Sequence, residues 1–134
     1  YRGDMDDFLA LGLKKMNSLE SNDLKRLADQ FKTSLSNNFK VFGRHAFRKH
    51  TDPQYSRSVL NASLWDVMST GLSQFSEPLV EVRADALRST FYPLMADSEF
   101  IKSITYGPND ARKVRFRFEM AGKMFQEVFG DHSA

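Results

Sequence analysis

The sequence contains no cysteine. That excludes disulfides, thiolate metal sites and cysteine nucleophiles, and it fits a reducing compartment. No apolar run approaches the roughly 20 residues that span a bilayer. No basic stretch leads into an apolar one as a signal peptide would. A cytoplasmic location, with no membrane partner, is therefore expected. Histidine is scarce, at three in 134 residues, and the seven glycines are scattered rather than gathered into a phosphate-cradling loop. No serine sits in a Gly-x-Ser-x-Gly setting. An excess of one charge is nearly missing too. Lys and Arg number 19 against 17 Asp and Glu, a formal net charge of +2. That total does not by itself imply nucleic acid or an acidic surface.

What is present is apolar and periodic. Hydrophobic residues make up 41% of the chain and phenylalanine alone contributes 12 residues, enough for a packed core. The length suits one domain over residues 1–134. The chain begins at Tyr1 rather than Met, so a C-terminal fragment of a longer protein is expected.

Apolar residues recur at three- and four-residue steps almost throughout, which is the helical pattern. Met5, Phe8, Leu9, Leu13 and Met16 mark a first helix, with Asp4, Asp6 and Asp7 at its start and Lys14 and Lys15 near its end. Ser21 or Asn22 is the expected cap of a second helix, striped by Leu24, Leu27, Phe31, Leu35 and Phe39 and stopped by Gly43. Thr51-Asp52-Pro53 reads as a loop. Ser56 or Ser58 should cap the next helix, with Leu60, Leu64, Val67, Met68, Leu72 and Phe75 on its stripe and Gly71 admitting a close neighbour. Ser76-Glu77-Pro78 starts a further helix that Pro93 should end or kink near Tyr92. Asp97 caps a short helix carrying Phe100, Ile101 and Ile104. Tyr106-Gly107-Pro108-Asn109 is a turn. Asn109 or Asp110 caps the last helix, striped by Val114, Phe118, Ala121, Phe125 and Val128 and stopped by Gly130. The fold expected is an all-α, bundle-like domain of about six or seven helices.

Few constellations suggest chemistry. His45 and His50 are five apart, not at the i, i+4 spacing that places two ligands on one helical face, and His132 is near the end of the chain. No metal, cofactor or catalytic residue is expected, and the chain alone reads as a non-enzyme. Glu81 and Asp85 share a helical face but read as solvated. Arg2-Gly3-Asp4 matches an adhesion motif by chance.

Two basic clusters stand out. Between Lys40 and Arg57, five cations face Asp52 alone; between Arg112 and Lys123, five face Glu119 alone. Arg112 and Lys113 stand at a helix start, where the dipole disfavours cations. Three uses fit: phosphate binding, pairing with acidic partners, or solubility. Arg44, Arg48, Lys49, Arg57, Arg112, Lys113, Arg115 and Arg117 are the candidate nucleic-acid contacts. Phe42, Gly43, Phe47 and Asn61 are the candidate structural junction between the second helix and the next. Asn61 would bond the backbone of the 51–57 loop.

Five short motifs follow one another along the chain: Arg2-Gly3-Asp4-Met5-Asp6-Asp7-Phe8-Leu9, Phe42-Gly43-x-x-Ala46-Phe47-Arg48, Leu60-Asn61-x-x-Leu64, Asp97-x-Glu99-Phe100-x-x-x-Ile104 and Val114-x-x-Arg117. Their order and spacing resemble the helical C-terminal region of ParB-like proteins related to the GmrSD modification-dependent restriction enzymes. The resemblance implies an upstream ParB-like domain with an Asp-Gly-Gln-Gln-Arg motif, and in some relatives an HNH nuclease domain. It also implies a role in restriction of modified DNA and phage defence. Neither catalytic pattern occurs here, so no catalytic residue carries over. The turn at Tyr106-Gly107-Pro108-Asn109 departs from the family, where Gly is followed by Thr or Ser.

The leading expectation is thus a non-catalytic accessory domain of such a DNA-targeting protein, touching DNA through the basic clusters. The alternative is a stand-alone helical module that binds a protein. The two differ in a visible way. A protein-binding module should expose apolar side chains that the periodicity assigns to a core.

Overall fold

A computed structural model describes residues 3–130, so Arg2 and His132 fall outside the described residues. The fold is all-α. Its helices are α1 (Met5–Asn17), α2 (Ser21–Phe42), α3 (Ala62–Leu72), α4 (Glu77–Ala96), α5 (Ser98–Thr105) and α6 (Ala111–Phe129). A 3-10 turn, Gly43–His45, follows α2. No strand forms among the described residues; Arg48 and Leu60 make an isolated antiparallel bridge. No described helix is long and apolar enough to cross a membrane.

Local chemistry sets several helix ends as expected. Side-chain oxygens of Ser76, Asp97 and Asp110 accept backbone N–H groups at the starts of α4, α5 and α6. Gly43 and Gly130, at φ 52° and 57°, end α2 and α6 in the left-handed region that glycine tolerates. Three ends differ. Glu20, not Ser21 or Asn22, precedes α2 and makes no side-chain cap. Helix α3 starts at Ala62, capped by Asn61; residues 56–60 are non-helical, so Ser56 and Ser58 cap nothing and Leu60 is exposed. Helix α4 runs past Pro93 to Ala96, because Leu94 and Met95 turn into the core and hold the last turn.

The core is built by α2, α3, α4, α5 and α6. Helix α2 lies along α4 and α3, and α6 crosses α3, α4 and α5. Leu64, Val67, Met68, Leu72, Val80, Leu87, Phe91, Phe100 and Phe129 are almost completely buried. Gly71 does admit a close neighbour: a Cβ there would lie 2.1 Å from a ring carbon of Phe125. Phe42, Phe47, Leu64, Phe100 and Ile104, shared by the resembling motifs, all belong to this core.

Helix C-termini are closed by side chains from distant elements. The last carbonyls of a helix lack intrahelical donors. Asn37 of α2 donates to the carbonyls of Leu72 (2.9 Å) and Phe75 (3.0 Å) at the end of α3. Arg88 of α4 donates to Val41 O (2.8 Å) at the end of α2. Asn61 donates to Ile104 O (2.9 Å) and Arg117 to Ser103 O (3.1 Å) near the end of α5.

Candidate interaction surfaces

The junction between α2 and α3 is a folded unit. Phe47 has φ 61°, the one described non-glycine residue in the left-handed region. That conformation costs about 1–2 kcal/mol. Two contacts offset it: the Phe47 ring packs 4.3 Å from the Trp65 ring, and its carbonyl accepts the Asn61 N–H at 2.9 Å. Asn61 closes the other end. Its Oδ1 accepts from Leu64 N (2.8 Å) while its Nδ2 reaches α5. The asparagine thus ties α3 to α5 and the junction, rather than bonding the 51–57 loop.

The same reversal brings His45 and His50 together. Their rings stack with centroids 4.7 Å apart, and both are buried. Five-residue spacing separates two side chains only while the chain stays helical, and here it does not. His50 Nδ1 is 2.7 Å from Arg48 O and His45 Nε2 is 3.1 Å from Pro53 O. A carbonyl only accepts, so each of those nitrogens carries the proton. Phe42, Phe91 and Tyr92 enclose His50. No group of three potential metal ligands occurs among the described residues.

Burial is the main cause that lowers the His50 pKa; nearby His45 lowers it further, against the Arg48 carbonyl and Asp52. The unfolded chain therefore takes up a proton at His50 before the fold does. The stability that neutral His50 contributes is present above about pH 6.5 and is lost as pH falls through the folded value. The thermal midpoint should begin to drop as pH falls below about 6.5, and His50→Phe should flatten that first drop. Glu77 does not blur its onset. Its pKa is lowered, first by the Ser36 hydroxyl and then by Lys40, so its contribution fades only below its ordinary value of 4.5.

The eight basic candidates divide. Arg44, Arg57, Arg112 and Arg115 are exposed, and no ion pair holds them among the described residues. Arg48, Lys49 and Lys113 are half-buried. They donate to Ser58 O, to Thr105 Oγ1 (3.2 Å) and to Tyr106 O respectively. Arg117 is 2% exposed and bonds Ser103 O and Pro108 O, with Asp66 at 4.0 Å. It is an internal tie and presents no surface to a duplex. Lys49 and Lys113, one from each cluster, each donate to an oxygen at the negative end of the α5 dipole. Asp110 supplies the compensating charge at the α6 start by accepting from the backbone of Arg112 and Lys113.

The apolar stripes hold the largest departure. Helix α1 buries no residue. Phe8, Leu9, Leu11, Leu13, Met16, Leu19, Leu24, Leu27 and Phe31 are 36–58% exposed, and Phe39 is 68% exposed. The stripes of α1 and the first half of α2 are therefore helical but not core. The start of α1 touches the body, where Met5 and Phe8 share a recess with Asp66, Thr70, Val114, Arg117 and Phe118, and the Phe31 ring of α2 meets the Trp65 ring of α3 at 6.3 Å. The second half of α2 does pack, through Ser34, Asn37, Asn38, Val41 and Phe42. These residues lie on the side of the helix that also carries Leu27 and Phe31, so one face continues from the core into solvent.

No family model, curated protein or solved structure matches the chain.

Several of these residues escaped the sequence reading. Ser34, Asn37 and Asn38 look like surface polar residues by type, yet they are buried against α3. Ser34 bonds Ser69 O, and Asn38 bonds Met68 O at 3.1 Å. The available signal is that they interrupt the apolar face at helical spacing.

Proposed function

We propose that this domain is a helical protein-interaction module whose docking element is the arm formed by α1 and the first half of α2. The observation that carries the reading is the exposed stripe. Nine large apolar side chains from Phe8 to Phe31 lie about half open. Monomers rarely leave contiguous apolar patches larger than a few hundred Å² uncovered. No group of three potential metal ligands occurs among the described residues to support a metal-dependent reaction instead. The resemblance to GmrSD-type proteins gives the module a setting: an accessory domain joined to a DNA-targeting protein, with the upstream ParB-like domain among its neighbours.

The test separates docking surface from core. Leu27→Glu, on the arm, should change the stability of the domain by no more than about 0.5 kcal/mol. Chemical denaturation measures it, and a collapse of the fold would make the arm core and end the reading. A second reading rests on Arg44, Arg57, Arg112 and Arg115, which remain open and without carboxylate partners. Duplex affinity that falls steeply with salt, and vanishes when those four are reversed to Glu, would move the function to nucleic acid.

A further inference from the structure

We infer that the occupant of the α1–α2 arm is the same arm of a second copy of this chain, with the two α1 helices packed antiparallel. The inference rests on the interaction reading above and names its partner. Three observations carry it.

The first is charge. Asp4, Asp6 and Asp7 stand at one end of α1, and Lys14 and Lys15 at the other. Among the described residues none of the five makes an ion pair. Asp4 and Lys15 are eleven residues apart, which is three helical turns, so they flank the apolar stripe on the same side. Antiparallel pairing sets Asp4 of one copy beside Lys15 of the other, and does so twice by symmetry. Parallel pairing would set acid on acid and base on base.

The second is shape. Gly12 lies in the middle of the stripe, between Leu9 and Met16. A Cβ at Gly12 would meet nothing within 4 Å. Glycine inside a helix costs about 1 kcal/mol relative to alanine, and nothing among the described residues uses the room it leaves. It sits close to the point where two antiparallel helices would cross.

The third is the open stripe itself. Phe8, Leu9, Leu13 and Met16, on one face of α1, are 43–58% exposed, and the same stripe of a second copy matches it in length and chemistry.

The absence of cysteine makes a clean experiment. The full chain is examined by analytical ultracentrifugation up to the hundred-micromolar range. A concentration-dependent dimer is expected. K14E/K15E and D6K/D7K should each weaken self-association at least about tenfold, and mixing the two should restore pairing; Asp4 is kept because its side chain caps α1 by accepting from Asp7 N at 3.0 Å. Helix α1 buries nothing, so circular dichroism should show both variants folded. Orientation is read by oxidative cross-linking of single cysteines. L9C, near the crossing, should link efficiently and M16C should not. A monomer at every concentration overturns the second copy, and leaves the arm to another partner provided Leu27→Glu has left the fold intact. A dimer indifferent to these charges, or one in which M16C links as well as L9C, overturns the antiparallel arrangement.

Discussion

Arg117→Ala should cost about 3–5 kcal/mol of stability, the scale of removing one member of a buried charged network. Arg117 is among the largest fully buried side chains. Its guanidinium donates to Ser103 O at the end of α5 and to Pro108 O in the turn before α6, and it lies 4.0 Å from Asp66 of α3. Truncation would leave two carbonyls without that donor and a cavity among three helices. Burial already pushes the Asp66 carboxyl above its ordinary pKa, with Arg117 pulling it back down. Without the arginine the carboxyl should rise further. The thermal midpoint should fall by about 10 °C or more. Arg115→Ala, two residues away on the exposed side of α6, is the control and should stay within about 0.5 kcal/mol. A stable Arg117→Ala variant would mean that the cation belongs to the surface after all.

Phe91→Ala should be comparably severe, at about 3–5 kcal/mol. Phe91 is 1% exposed and stands where three parts of the fold meet. Its ring lies 4.5 Å from Phe42 at the end of α2, 5.0 Å from His50 in the junction and 6.0 Å from Tyr92. Alanine would open a cavity beneath the histidine pair, and the loss should exceed that of Leu27→Glu by several kcal/mol. Urea unfolding of the two variants side by side measures the difference. Equal effects would mean that the first half of α2 belongs to the core after all.

Helix content was legible because its signals are local. Ser76, Asp97 and Asp110 cap by chemistry that reaches only two or three residues, and the 3.6-residue period needs no knowledge of partners. What lay beyond reach depends on where the chain turns. The His45–His50 stack exists because Phe47 takes a left-handed conformation, which a phenylalanine gives no reason to expect. Helix α3 starts later than expected because Asn61 has a tertiary donor role as well as a capping one, and a serine a few positions earlier looks equally suitable. Periodicity finds the apolar face of α1 but is silent on whether anything covers it. Charge alone does not separate Arg117 from the surface cations, because the two carbonyls that hold it inside, of Ser103 and Pro108, come from the preceding helix and turn. The surface candidates were legible to the same degree: half of the eight cations are open, and the rest are tied to hydroxyl or backbone oxygens.

The long-range closing of helix ends has a consequence for how the domain comes together. An eight-residue helix such as α5 has little stability of its own in water. Its final carbonyls are met by Asn61 and Arg117, which arrive from elements 43 and 14 positions away. The end of α3 waits in the same way for Asn37, and the end of α2 for Arg88. No one of these helices is finished until another has arrived, so the body should melt as one cooperative unit rather than helix by helix. The arm, with no buried residue in α1, stands outside that agreement and can fray without warning the rest.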